Sequence, residues 1–248
     1  MRYLPFCLFC LFFLVEQSTG NAQVVAQPHT LTLFDSVRQR AISVVLYKPA
    51  ATIHSPKLAI ISHGYGGHNT YYSFIASMLA VRGYVVASIQ HELPDDEPLP
   101  LTGEPRVVRR PNWERGMQNI RYVVGELKWH KPTLDVRGLL LVGHSNGGDQ
   151  SMLFAATYPT EVAAVISLDN RRMPFPRARR PRVLSIRSSD QKADEGVLPT
   201  TDEQRTYGNM ILPLPILHND MWDGATADQK QAITDAIARF LDCSVAGQ

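Results

Sequence analysis

The chain has 248 residues, 44% hydrophobic and 19% charged, with a formal net charge of +2. That size and balance give one globular domain with a substantial core and exclude a disordered or low-complexity chain. So small a positive charge, with basic residues that are not interleaved with aromatics, implies no nucleic-acid partner.

Arg2 precedes an apolar run from Leu4 to Val15, and a polar segment then leads to Gly20-Asn21-Ala22, small residues at the offsets of a cleavage site. This layout reads as a signal peptide over residues 1–22, leaving a single domain over 23–248 that is secreted or periplasmic. A retained anchor is the alternative, but a dozen apolar residues are short against the roughly 20 of a spanning helix, so no stable span is expected after cleavage. Cys7 and Cys10 would leave with the leader, so the mature chain would keep only Cys243 and form no internal disulfide.

The sequence predicts strands over Thr30–Phe34 and Ala41–Tyr47, whose alternation suggests an antiparallel pair. Lys57–Ser62 is a continuous apolar run ending at His63-Gly64-Tyr65-Gly66-Gly67, as expected of a buried parallel strand entering a tight loop. A helix over Tyr71–Val81 would carry Phe74, Met78 and Val81 on one side, and Gly83 stops it before a strand over Tyr84–Ile89. An acidic, proline-rich loop follows, with Asp95, Asp96 and Glu97. The next helix, Trp113–Trp129, carries Ile120, Val123, Val124 and Leu127 as its apolar stripe. Then come strand Leu139–Gly143, helix Gly147–Thr157, strands Ala163–Leu168, Arg182–Ile186 and Met210–Leu217, and a closing helix Ala227–Leu241. Alternating strands and helices give a mostly parallel, doubly wound sheet with functional residues beyond the carboxyl ends of its strands.

Gly143-His144-Ser145-Asn146-Gly147 is a G-x-S-x-G between a predicted strand and a predicted helix. In such an elbow the serine occupies a strained turn, and its neighbours two positions away must be small. Ser145 is therefore the candidate nucleophile. The amide of Asn146, at the helix start, is the candidate first donor to an oxyanion, and the amide of Tyr65 in the glycine loop is the second, with the Tyr65 ring lining the pocket. A serine hydroxyl needs a base that titrates near neutrality, and His218, after the last strand, occupies the position expected of it; His144 is expected to point away from the serine's side. The acid that orients the base stays open between Asp169, which ends one strand, and Asp190 or Asp194, which follow the next. No His/Cys cluster has zinc spacing, and the chemistry requires neither metal nor organic cofactor.

Ser62-His63-Gly64-Tyr65-Gly66, Tyr72-Ser73, Arg82-Gly83-Tyr84-Val85-Val86 and Gly143–Gly148 resemble the α/β-hydrolase superfamily. Within it they are similar to the group of dienelactone hydrolases, platelet-activating factor acetylhydrolases, chlorophyllases and polyester hydrolases. The resemblance runs from about Lys57 to Leu241 and implies an α/β-hydrolase fold with no separate lid domain. It also implies a carboxylesterase-like serine hydrolase acting on a small-molecule or lipid-like ester through an acyl-enzyme. The chlorophyllase and acetylhydrolase branches imply Asp169 as the acid, whereas the dienelactone and polyester branches imply Asp190 or Asp194. The similarity of His218-Asn219-Asp220-Met221 to the chlorophyllase histidine loop favours Asp169. An acyltransferase or amidase using the same three residues, and a non-catalytic binding protein on the same fold, are the rival readings. The segment 171–182 departs from the group in holding six arginines. It is expected either to form a cationic rim for an acidic ligand or to be a solvated loop that partly pairs with Asp95, Asp96 and Glu97.

Overall fold

The structure is a computed structural model that describes residues 27–49 and 51–243. The expected leader, with Cys7 and Cys10, lies outside the described residues, and Cys243 is exposed and free. No helix among the described residues is long and apolar enough to cross a membrane.

Eight strands form one sheet: β1 (His29–Asp35), β2 (Arg40–Tyr47), β3 (Lys57–Ser62), β4 (Val85–Ile89), β5 (Asp135–His144), β6 (Val162–Leu168), β7 (Arg182–Arg187) and β8 (Met210–Pro213). Their order is β1-β2-β4-β3-β5-β6-β7-β8, antiparallel as far as the β2–β4 pair and parallel from β4 to β8. The central strands are apolar on both faces because both faces are covered. Leu58 and Ile60 of β3, with Leu139 and Leu141 of β5, pack into one layer of core, and the alternate residues Ala59, Ile61, Leu140 and Val142 pack into the other. The first layer lies under α3 (Arg110–His130) and α4 (Asn146–Thr157), the second under α1 (Ser73–Val81) and α6 (Ala227–Asp242).

Local chemistry corrects several of the expected boundaries. The inner face of α1 is Ile75, Ala76, Leu79 and Ala80, whereas Val81 is 46% exposed. The short helix α2 (Pro105–Val108) begins with Pro at a first-turn position and is N-capped by the Glu104 side chain. The α3 stripe Ile120, Val123, Val124 and Leu127 is buried as expected. β8 stops at Pro213 instead of continuing to Leu217, because Pro213 and Pro215 supply no backbone N–H for a ladder. A further helix, α5 (Thr201–Tyr207), is closed by a capping box between Thr200 and Glu203 and by Gly208 at φ 72°. The described residues contain no separate lid domain; the loops at the carboxyl edge leave an open cleft.

Candidate active site

Every expected site residue lies at the carboxyl edge of the parallel strands: Tyr65 after β3, Ser145 after β5, Asp169 after β6 and His218 in the turn beyond β8. Ser145 has φ 51° and ψ −117°, a conformation that side chains other than glycine rarely adopt, and it caps α4. The turn is so tight that a Cβ on Gly143 would lie 2.3 Å from the Gly147 carbonyl oxygen, and one on Gly147 would lie 2.3 Å from that of Ser62. Ser145 N–H donates to Leu168 O at 2.9 Å, which ties the elbow to β6.

A chain of hydrogen bonds runs through the three side chains. Asp169 Oδ2 accepts from His218 Nδ1 at 2.6 Å, and His218 Nε2 lies 2.9 Å from Ser145 Oγ. With Nδ1 donating to an ionised carboxylate, Nε2 carries the lone pair and can take the serine proton. Asp169 is fully buried, at φ 59°. Burial alone would push its carboxyl up, but the His218 hydrogen bond, the Arg187 guanidinium and the Ser188 hydroxyl and N–H outweigh it and hold the carboxyl below its ordinary value.

Arg187, at the end of β7, is the unexpected member of the site. Its Nη2 lies 2.7 Å from Asp169 Oδ1, an ion pair without hydrogen-bond alignment, while Nη1 donates to Asn170 O at 2.6 Å. Both partners are out of solvent, so the pair is held by geometry rather than screened by water. The other two aspartates left open by the sequence do not touch the imidazole in this way. Asp190 Oδ1 accepts the backbone N–H of His218 at 2.7 Å, and Asp194 pairs with Arg172. Asp149, on the first turn of α4, accepts the N–H groups of Arg172 and Met173 and so fixes the loop that begins at Asp169. Burial pushes its pKa up to about 6.

His144 does not point away from the site as expected. Its ring lies 4.8 Å from that of His218, and its Nε2 donates to His218 O at 2.9 Å. Its Nδ1 is therefore an acceptor and receives the Tyr72 hydroxyl at 2.8 Å, and that hydroxyl in turn accepts Gly64 N–H at 3.3 Å. Burial, reinforced by the neighbouring His218, lowers the His144 pKa to about 3, so the ring stays neutral and its proton stays on Nε2.

The peptide between Gly64 and Tyr65 is aimed by the same logic. Gly64 O accepts from His63 Nδ1 at 2.8 Å and from Gly67 N at 2.9 Å, and His63 Nε2 accepts His91 N–H at 3.0 Å, which fixes the His63 tautomer. In a planar trans peptide the N–H points opposite to the carbonyl, so the Tyr65 N–H is turned away from these partners. No protein acceptor takes that N–H among the described residues, and the first N–H groups of α4, beginning with Asn146, have no intrahelical acceptor. The Asn146 side chain is locked by Trp113 Nε1 and Asn112 Oδ1, each at 2.8 Å. Beside it, burial raises the Glu92 pKa to about 7, and Glu92 Oε2 has no hydrogen-bond partner.

The arginine segment does not pair with the acidic loop. Arg172 binds Asp194, Arg177 binds Glu203, Arg171 binds Gln191, and Arg182 covers the Phe240 ring and donates to its carbonyl. Asp96 is taken by Arg40 and Arg115. Neither the segment nor any other carboxylate or guanidinium lines the cleft of about 230 Å³ at Ser145.

The sequence profile of the family of platelet-activating factor acetylhydrolase, isoform II, matches residues 15–96. No curated protein sequence matches the chain. Among solved structures, an esterase of the fungus Rhizomucor miehei is similar at 15% identity, with 90% of this chain and 84% of that one covered and a TM-score of 0.60. An α/β serine hydrolase without lid from Xanthomonas campestris is 20% identical over 89% of this chain and 98% of its own, with a TM-score of 0.56. A dienelactone hydrolase-like promiscuous phosphotriesterase from metagenomic libraries is 12% identical over 88% and 98% of the two chains, with a TM-score of 0.64. These neighbours show that the chain has the α/β-hydrolase fold, and the family match over residues 15–96 takes in the glycine loop but not the serine elbow.

Proposed function

We propose that this α/β hydrolase is a serine ester hydrolase that works through an acyl-enzyme on Ser145. The observation that carries the reading is the continuous set of contacts from Asp169 through His218 to Ser145, at 2.6 and 2.9 Å. His218 takes the serine proton as Oγ attacks the ester carbonyl, and Asp169 stabilises the imidazolium that forms. The amides of Tyr65 and Asn146 receive the negative oxygen of the tetrahedral intermediate. His218 then passes its proton to the leaving alcohol, and a water activated by the same ring releases the acid and restores the serine. Asp190 and Asp194 have structural roles in this reading, one holding the His218 backbone and the other Arg172. No metal or organic cofactor enters any step.

The family match and the esterase neighbours agree with ester cleavage. The route outside the cytoplasm, secreted or periplasmic, rests on Arg2 and the Leu4–Val15 run alone. The test is fluorophosphonate labelling of the purified protein followed by turnover of p-nitrophenyl acetate. Wild type is expected to label and turn over, and Ser145→Ala to do neither while melting like wild type. A folded wild type that neither labels nor turns over refutes the assignment. The N-terminal mass of exported protein tests the leader, and a mass beginning at Met1 would overturn it.

A further inference from the structure

Resting on the ester hydrolase reading, we infer that the cleft at Ser145 selects esters that bring one small planar ring against an aromatic wall formed by Tyr71 and Trp222, with Tyr65 beside it. All three residues line the cleft, together with Gly64, Gly66 and Gly67. The Tyr71 and Trp222 rings lie 4.7 Å apart at 43°, and the edge of His68 braces Tyr71 at 5.0 Å and 72°.

The wall is ordered before any ligand arrives. Asp223 N–H donates to Tyr71 O at 2.8 Å, and the Asp223 carboxylate accepts Ser73 and Phe74 N–H at 3.1 and 3.2 Å, so the segments that carry the two rings are tied together. The Trp222 indole rests directly on Gly224, where a Cβ would come within 2.5 Å of it. Tyr65 is held from its far end, its hydroxyl accepting Leu99 N–H at 2.9 Å, while 45% of the residue remains exposed. Rigid rings lose little freedom on binding, and a ligand ring packed offset or edge-on against them gains more than its buried area alone provides.

Size and charge narrow the ligand further. An apolar cavity of about 150 Å³ accommodates benzene, so a cleft of about 230 Å³ takes one such ring and leaves the volume of two or three waters for the ester group. With no carboxylate or guanidinium in the lining, no charged side chain of the cleft compensates a charged ligand, and Arg172 and Arg177 of segment 171–182 are paired with Asp194 and Glu203. The ring is therefore neutral, carried on either the acyl or the alcohol side of the ester.

Two matched pairs of esters test this, one for each side. Methyl phenylacetate is compared with methyl cyclohexylacetate, and benzyl acetate with cyclohexylmethyl acetate, each pair having similar intrinsic reactivity. In wild type, kcat/KM for the aromatic member should exceed that of its saturated partner by about tenfold in at least one pair, the size of an aromatic contact. Trp222→Leu and Tyr71→Leu should each bring that ratio to within about twofold; because the ratio is taken within one variant, a general loss of activity cancels. Ratios near one in both wild-type pairs, or a preference that survives both substitutions, overturn the inference. Labelling of Ser145 without turnover of either aromatic ester overturns it too while leaving the nucleophile in place. A protein that neither labels nor cleaves any ester overturns the hydrolase reading itself.

Discussion

Replacing Arg187 with methionine removes a buried cation and keeps most of its apolar volume. The Asp169 carboxylate then retains Ser188 N–H, Ser188 Oγ and His218 Nδ1 as donors, at 3.2, 2.7 and 2.6 Å, but loses its compensating charge. Two charges about 4 Å apart in a medium of effective dielectric about 20 interact by about 4 kcal/mol. Deleting one partner of a buried pair costs about 3–5 kcal/mol by experience with other proteins. The two figures agree, and about 4 kcal/mol lowers the melting temperature of a domain this long by about 10 °C at pH 7. The deficit should depend on pH. In wild type the Asp169 pKa is depressed in the fold, so its contribution is present above the unfolded value of about 3.9 and is lost as pH falls through the folded value. In Arg187→Met the folded value rises, and the gap between variant and wild type should therefore narrow as pH falls from 7 towards 3. Because three donors still hold the carboxylate, kcat should fall by far less than the ~10⁴-fold expected when the acid itself becomes an amide. Adding Asp169→Asn to Arg187→Met should cost less stability than the two single effects summed. Thermal melts at pH 7 and pH 4 decide the matter. A pH-independent deficit, or a variant that melts within about 2 °C of wild type at pH 7, would refute the claim that Arg187 serves by compensating Asp169.

Asp169→Asn should lose about four orders of magnitude in kcat, whereas Asp190→Asn, whose carboxylate takes the His218 backbone N–H and not the imidazole, should lose less than tenfold; steady-state turnover of p-nitrophenyl acetate distinguishes them. Gly147→Ala must displace the Ser62 or His63 carbonyl, 2.3 and 2.4 Å from the new methyl group, and should cost at least about 1–3 kcal/mol in urea unfolding together with most activity. For Glu92 the sign is opposite to that of Asp169. Its folded pKa of about 7 exceeds the unfolded value of about 4.3, so stability falls as pH rises between them. Glu92→Gln should gain up to about 3 kcal/mol at pH 8 and nothing at pH 4, read from melts at both values.

The serine elbow and the parallel order of the fold were legible because short-range geometry imposes them. Gly143 and Gly147 must be glycines for the elbow to close, and strands apolar on both faces announce a sheet covered on both sides. Local signals for α2 and α5 were also present, as Pro105 after Glu104 and as Thr200 with Glu203 three residues on. The length of β8 was misread because its apolar residues alternate with Pro213 and Pro215, and alternation outweighed the missing donors. The residues alone could not choose between Asp169, Asp190 and Asp194, since that choice depends on how far each loop carries its carboxylate. Arg187, Tyr72 and His144 were out of reach for the same reason. Each acts on a residue from a distant part of the chain, Arg187 on Asp169 across two neighbouring strands and Tyr72 on His144 across 72 positions.

Gly64 N–H, the Tyr72 hydroxyl, His144 and the His218 carbonyl form a single file of donors and acceptors in which each link fixes the next. The glycine loop and the turn that carries His218 thus share one mechanical connection through residues that line the cleft. Neither can drift without breaking a buried bond of the other, so the two halves of the machinery should open and close as one unit, and amide exchange at Gly64 and at His218 should follow a common opening event.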